Sequence, residues 1–425
     1  MQEQNLIRQI EAFPLVEFLS MARECGRLGI DPTLRADAAK LYETIRGFRA
    51  DVWFVSEQAA ASLDLAERFL YGEWFIAEHG FANYPSYIGL AMVKYFLGVH
   101  LREDFRRGWQ KCKACMHILL NDVLSYEVSS LAGILPWYPN NRVLGVMRDR
   151  IAALNKLRTS FAALTHGPMP IVPSHILSWT EYAEKGQEHL ILGHLTALSV
   201  SCEHDEYFFM RVLQMSECCY WGALTAVIAA IESTKIACLE DAMAHMEQAL
   251  SFINLLHPIT KVLKTMPPEH FWAFRDATDG SSAIQSRWFH LLQIYIYGLD
   301  ERKISIYAGI PEICDLMHYG KPGFVSLRSL LRDFAERPPA EFDAFAEVAM
   351  RLDASLYAYR CIHLGIVHRF LPPDAKQGTG GSSGIPYLRK HLTRRLWPLE
   401  KEYPQPDLKE LNAIDMFHPL VGVGN

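Results

Sequence analysis

Four features of this chain have chemistry to offer: a histidine set in an apolar helical stripe, an arginine beside aromatic residues, a second histidine opening an acidic run, and a glycine loop. His363 lies among Leu356, Tyr359, Ile366, Val367 and Phe370, which share one face of a helix, while His368 and Arg369 point the other way. An imidazole on such a face needs a partner for each nitrogen, either hydrogen bonds or a metal. A paired core histidine and a metal ligand both meet that need. Pro372 and Pro373 then break the helix, and GTGGSSG follows from Gly378 to Gly384. So many glycines permit close backbone approach at a large entropic cost of ordering. A loop that orders on binding, a flexible linker and a phosphate cradle are its three readings. The last lacks a preceding strand and a Gly-Lys-Ser/Thr ending.

Upstream, HDEYFFMRVLQMSECCYW opens at His204 and predicts helix through Ser251, with Asp205 and Glu206 favouring the first turn through the helix dipole. Glu217 falls on the stripe of Met210, Leu213, Tyr220 and Leu224, where a carboxylate needs a partner. An acidic cap and one buried ion pair account for these residues without chemistry. FWAFRDATDGSSAIQS carries Arg275, a planar fork of permanent charge suited either to a bound carboxylate or to a surface ion pair at a helix end. Cys112-Lys-Ala-Cys115-Met-His117 invites a zinc or redox reading. Zinc needs four ligands, and no second Cys or His pair stands at a familiar spacing, so two buried or surface thiols are expected.

The elements that must position these residues are helices. Leu63 to Phe75 and Val146 to Leu164 show apolar spacing of three to four residues, breaks fall at Gly80, at 136–141 and at 167–173, and period-two alternation is scarce. Between residues 305 and 350 helix is interrupted at Pro311 and Pro338-Pro339, and Arg389, Lys390, Arg394 and Arg395 make a basic helix whose role is a solvated face or a contact to an acidic ligand group. With 425 residues, half of them hydrophobic and 21 % charged, the chain can bury a large core. A net charge of −6 offers no surface for polyphosphate, so nucleic acid is excluded as a partner. The start lacks the basic flank and apolar run of a secretory signal, and the apolar stretch from Tyr87 to Val99 is interrupted by Lys94 and too short to span a bilayer. Nine cysteines, an odd number scattered widely, fit reduced thiols. A cytoplasmic protein with no membrane partner is the expectation.

Taken together, His363, Val367, His368, Arg369 and Leu371, then GTGGSSG, then Tyr387-Leu388-Arg389 resemble the C-terminal signature of the tryptophan 2,3-dioxygenase and indoleamine 2,3-dioxygenase superfamily. The histidine-to-loop connection is slightly longer than in typical tryptophan dioxygenases because of the Pro-Pro pair, and the indoleamine branch also has a longer one. His204-Asp205-Glu206 followed by Phe209, Gln214 and Glu217, and Phe274-Arg275-Asp276 followed by Gln285-Ser286, are similar to tryptophan dioxygenase spacings.

The resemblance implies haem b, its iron held by His363, and His204 on the distal, oxygen-binding side, where the indoleamine branch has serine. It implies Arg275 on the substrate carboxylate and Thr379 on its ammonium, with Phe271, Gly378, Gly380 and Gly381 lining the substrate site; Phe208, one turn after His204, shares its face and either lines the same pocket or packs in the core. The implied partners are dioxygen and a small aromatic amino acid or indole amine. The implied reaction inserts both oxygen atoms across the indole C2–C3 bond of L-tryptophan, giving N-formylkynurenine. A haem oxygenase of specialised metabolism acting on a modified indole or another aromatic, and a non-enzymatic haem sensor or carrier, are the alternatives. The sensor leaves Arg275 and the loop without a task. Ala283 and Ile284 stand where family members have glycine and an aromatic, and His290 replaces a later arginine; these departures bear on the substrate more than on the haem. The tryptophan branch is tetrameric and the indoleamine branch monomeric, which leaves the oligomeric state open. The expected fold is all-α, with a smaller helical N-terminal domain, 1–190, similar to the small domain of the indoleamine branch, ahead of a haem-binding helical bundle, 191–425.

Overall fold

The computed structural model describes residues 2–49, 57–80, 83–98, 105–133, 141–162, 177, 179, 181–182, 188–278, 281–308, 310, 313–314, 316, 324–371 and 384–399. Among the described residues helix is the regular structure and no strand occurs. The fold is all-α. Two compact units interleave along the chain, one of residues 1–218, 258–284 and 365–384, the other of residues 219–257, 285–364 and 385–425.

In the first unit, Leu6 and Ile10 of the helix Gln2–Ala12 are buried, as are Leu15, Phe18, Leu19 and Ala22 of the helix Leu15–Cys25, at the i, i+3, i+4, i+7 spacing of one helical face. These side chains join Ile45, Leu63, Phe69, Leu70, Trp179 and Tyr182 in one core cluster. The second helix ends at Gly26, which adopts φ 70°, and a β-carbon there would collide with the Ser201 carbonyl. Only glycine permits that approach. It lets Arg27 and Leu28 donate their backbone N–H groups to the carbonyls of Ser199 and Val200, 2.8 and 2.9 Å away. Those carbonyls belong to the lead-in of the helix His204–Lys235, so the N-terminal core fixes where that helix begins. The Arg27 guanidinium secures the same junction through Glu73, at 3.2 Å, and the Ser86 carbonyl, at 3.0 Å.

The sequence predicts one helix from His204 through Ser251. The structure breaks it at residues 236–238 into His204–Lys235 and Leu239–Lys261, with Ala237 at φ 57°. No glycine or proline marks the stop. The signal is at the restart instead, where the Cys238 thiol contacts the Asp241 carboxylate and Glu240 and Asp241 occupy the first turn. His204–Lys235 is the one helix among the described residues long and apolar enough to cross a bilayer, yet 83 % of its most apolar window is buried inside the protein, so core packing accounts for its hydrophobicity.

In the second unit the two helices that follow one another across that break pack closely at Gly222. A β-carbon there would meet the Phe252 ring at 2.7 Å. The helix Arg287–Tyr297 starts with Ser286 accepting the Phe289 N–H, so the serine of the Gln-Ser pair is a helix cap. Its C-terminal carbonyls at Tyr297 and Gly298 are taken by the Arg394 guanidinium, 3.1 and 2.8 Å away. Arg328 likewise holds the carbonyls of Arg395, Leu396 and Pro398. Arg394 is therefore no member of a solvated basic face; it is buried and holds an irregular turn.

Candidate functional site

His204 opens its helix inside a network of charge. Its Nδ1 lies 3.2 Å from Asp205 Oδ1, its Nε2 lies 3.8 Å from Glu127 Oε2, and its ring stacks on Tyr126 at 4.8 Å. Arg150, fully buried, places NH1 2.7 Å from both Glu127 Oε1 and Asp205 Oδ1. The other Asp205 oxygen is 2.8 Å from His270 Nδ1. Burial alone pushes the Asp205 carboxyl up, but hydrogen bonds from His204 and His270 and the Arg150 charge outweigh it and hold it well below the carboxylate range. Burial works against the Arg150 charge too, and Glu127 and Asp205 more than compensate. Phe208 lies under this guanidinium, 4.1 Å from ring centroid to Cζ, and is buried completely. Asp205 and Glu206 were expected as dipole partners of the first turn. They do sit there, yet their contacts are specific: Glu206 accepts the backbone N–H groups of Val200 and Ser201, both at 2.7 Å.

Arg275 ends the short helix Pro268–Arg275, which opens on Pro267-Pro268, with Pro268 in the first turn where its missing N–H costs nothing. Phe271 and Phe274 turn inward and meet Phe209 at 5.7 and 5.4 Å, and Phe271 stacks on Phe370 at 5.0 Å. The Arg275 guanidinium is half-buried. Its NH1 donates to Thr278 Oγ1 and, at 2.7 Å, to the Ser281 carbonyl. It forms no ion pair among the described residues, and desolvation pulls its pKa down despite the opposing influence of Tyr87 and Asp276. Arg27, Arg150 and Arg211, the buried arginines of the same unit, each have a carboxylate partner. Among the described residues the Nε and NH2 of Arg275 have no carboxylate partner, a fork suited to a planar anion.

His363 belongs to the second unit, in the helix Phe342–Phe370. Its ring stacks on Tyr359 at 6.2 Å, and Tyr359 in turn shares a hydroxyl hydrogen bond with Tyr220 and packs edge-on to Phe289. His363 keeps partial access, has no hydrogen-bond partner among the described residues, and is pushed by burial down to a pKa of about 4. A neutral imidazole with an open nitrogen is the state a metal ligand requires. Gly378, Thr379, Gly380 and Gly381 lie outside the described residues.

Other residues have structural tasks. Glu217 accepts the Tyr84 hydroxyl at 2.9 Å. Cys112 and Cys115 are buried thiols facing Cys218, whose Sγ is 3.3 Å from that of Cys115. His290, at the position of the family's later arginine, is buried with its ring edge-on to Tyr307.

The structure brings Arg275 together with Phe271, and it gathers His204 and Phe208 around Arg150 instead. Sequence reasoning missed Glu127, Arg150 and His270, whose meeting with Asp205 depends on long-range packing. It named Phe209 at a motif offset and Leu213 in an apolar stripe but gave neither a place at the site. Between Phe208 and Leu224 they alone retain access, one turn apart on an otherwise buried helix, and that i, i+4 apolar pair was visible in the sequence.

No family model matches the chain. Curated relatives do. The tryptophan 2,3-dioxygenase of Bacillus cereus (strain ATCC 10987 / NRS 248) is 26 % identical over 236 residues, covering 47 % of this chain and 83 % of the relative. That of Anaeromyxobacter sp. (strain K) is 27 % identical over 231 residues, covering 46 % and 85 %. That of Burkholderia orbicola (strain MC0-3) is 24 % identical over 234 residues, covering 47 % and 75 %. Over slightly less than half of its length the chain is similar to tryptophan 2,3-dioxygenases. More than half of the chain lies beyond the reach of those matches. Glu127 and Arg150 precede the first family motif in sequence, so the network around Asp205 joins a motif residue to the segment before it.

Proposed function

We propose that this chain is a haem-dependent dioxygenase that opens the indole C2–C3 bond of L-tryptophan or a related indole amine, giving an N-formylkynurenine-type product, with haem b held by His363. The observation that carries the reading is Arg275: a half-buried cation with no carboxylate partner among the described residues, flanked by buried aromatic rings. Such a group recognises a planar anion attached to an aromatic body, which is what an aromatic amino acid presents.

The residues fit the cofactor. His363 is neutral, partly accessible and without a hydrogen bond among the described residues, so it can donate an electron pair to iron without first breaking a described contact. When bound, haem supplies the ferrous centre at which dioxygen is activated. The protein's own work is to bind and orient. Arg275 takes the carboxylate through Nε and NH2 while NH1 stays anchored to Thr278 and Ser281, so the fork is aimed before substrate arrives. Phe271 and Phe209 exclude water from one side of the ring. Thr379 holds the ammonium of the substrate. His204, bound to Asp205, acts through the charge network. We take 191–425 as the catalytic segment, since every family motif falls in it, and 1–190 as a helical addition that supplies Glu127 and Arg150.

A second reading, an oxygenase acting on another aromatic amino acid, draws on Phe209 and Leu213, whose exposed face offers an indole N–H no acceptor. One experiment separates them. Anaerobic ferrous protein mixed with L-tryptophan and then with labelled dioxygen should yield N-formylkynurenine carrying two labelled atoms. A product with one labelled atom supports the second reading, and a haem-loaded protein whose spectrum responds to no aromatic amine refutes both.

A further inference from the structure

The short helix that carries Arg275 is held in place by few contacts. Phe271 and Phe274 pack on Phe209, the Trp272 indole donates to the Phe370 carbonyl at 2.9 Å, and His270 meets Asp205 at 2.8 Å. Its N-cap is Pro267, which provides no side-chain hydrogen bond. Of these contacts only one can be switched by a proton.

The charges around that contact add up in an informative way. Glu127 and Asp205 contribute two negative charges and Arg150 one positive, all three buried to at least nine-tenths. His204 shares Asp205 Oδ1 with Arg150, Tyr126 and Tyr207 stack beside it, and Glu269 is the charged neighbour on the helix of His270 itself. With His270 neutral the buried triad keeps one uncompensated negative charge; with His270 protonated the cluster sums to zero. The His270 side chain is 27 % exposed, so the buried triad has a partner in proton exchange with solvent.

We propose that His270 is a positioning residue: its proton fastens the Arg275 helix to Asp205, so that a carboxylate substrate binds more weakly as pH rises. This rests on the reading of Arg275 as the carboxylate anchor. The direction follows from linkage. Asp205 raises the His270 pKa, so the ionic part of the contact is complete below the ordinary imidazole value of about 6.5 and is lost as pH rises through the raised one. What remains above it is a hydrogen bond from the neutral Nδ1–H to the Asp205 carboxylate, without the imidazolium charge. Three turns of consequence follow from one proton: the contact loosens, the first turn of an eight-residue helix loosens with it, and the fork at the other end loses its aim.

The test uses the haem-loaded enzyme, with KM and kcat for L-tryptophan measured between pH 6 and 8.5 for the wild type, His270→Gln and His270→Arg. The wild-type KM should rise about three- to tenfold across that range, the size of one modest hydrogen-bond contribution, with kcat nearly constant. His270→Gln should give a flat profile at the high level and His270→Arg a flat profile at the low level. Tryptamine, which lacks the carboxylate, should show no such dependence. Thermal melts at both ends of the range confirm that the variants are folded. If Arg275→Leu raises KM while His270→Gln keeps the wild-type profile, the role of His270 is refuted and Arg275 stands. If Arg275→Leu leaves KM unchanged, the carboxylate anchor fails and the role of His270 fails with it.

Discussion

Replacing Arg275 with leucine keeps the aliphatic stem beside Phe274 and removes the fork. A charged partner truncated at a desolvated pair typically costs about 2 to 5 kcal/mol, much of it the penalty of leaving the other charge unpaired. Arg275 is only half-buried, and water reaching the stranded carboxylate repays part of that penalty, so the lower end applies. About 2 to 3 kcal/mol corresponds to roughly a 30- to 160-fold fall in kcat/KM. The loss should be confined to substrates with a carboxylate: the ratio of L-tryptophan to tryptamine turnover should collapse toward unity in the variant. Two further effects need separating. NH1 also satisfies Thr278 and the Ser281 carbonyl, so the turn after the helix loses about 1 kcal/mol of hydrogen bonding, which a melt reads directly. Arg275→Lys restores charge without the fork and should recover part of the affinity. Steady-state kinetics on both substrates, with haem content fixed by absorbance, decides the matter. Equal losses for tryptophan and tryptamine would show that Arg275 supports the fold and does not bind the anion.

His363→Ala should abolish the Soret band or leave weak, exchangeable haem, and an unchanged spectrum and stoichiometry would remove this residue from the iron. Gly26→Ala combines positive φ with a collision against Ser201 backbone, so it should lower stability by about 2 kcal/mol or more, seen as a reduced Tm; a neutral outcome would mean that the 199–201 lead-in shifts freely. His204→Ala should reduce turnover only a few-fold to about tenfold, since Arg150 and His270 still hold Asp205; complete loss with haem intact would make His204 an obligatory acid or base.

Helices were legible wherever an apolar face repeated. Leu356 through Phe370 put His363 on one side of a real helix. The stop after Lys235 was not legible, because helix propensity runs unbroken through Thr234 to Cys238 and the break depends on a local cap at Cys238 and Asp241. The local chemistry of Arg275 could be anticipated, since an arginine at a helix end among aromatic residues has few roles. That of His204 could not. A motif histidine looks the same in sequence whatever its ring faces, and here Nδ1 meets Asp205 while Nε2, 3.8 Å from Glu127, has no hydrogen-bond partner among the described residues.

The same carboxylates explain why residues 204–218 group with the chain that precedes them. Three of the polar side chains entering the core on that stretch are answered from upstream. Asp205 receives Arg150; Arg211 reaches Asp122 and the Gly193 carbonyl; Gln214 donates to the carbonyls of Ile88 and Thr196. Every one of these groups would carry the full cost of an unsatisfied buried polar atom if its partner were absent, about 1 to 3 kcal/mol for a neutral group and more for a charged one. Hydrocarbon packing alone would tolerate a shift of the helix along its axis, because Leu, Val and Met side chains accept many neighbours. Directional bonds at three successive turns do not. They fix the rotation and depth of the His204 helix, and so decide that Phe209 and Leu213 keep access while Phe208 and Arg211 are enclosed. The orientation of the candidate substrate wall is thus set by polar residues that never touch it.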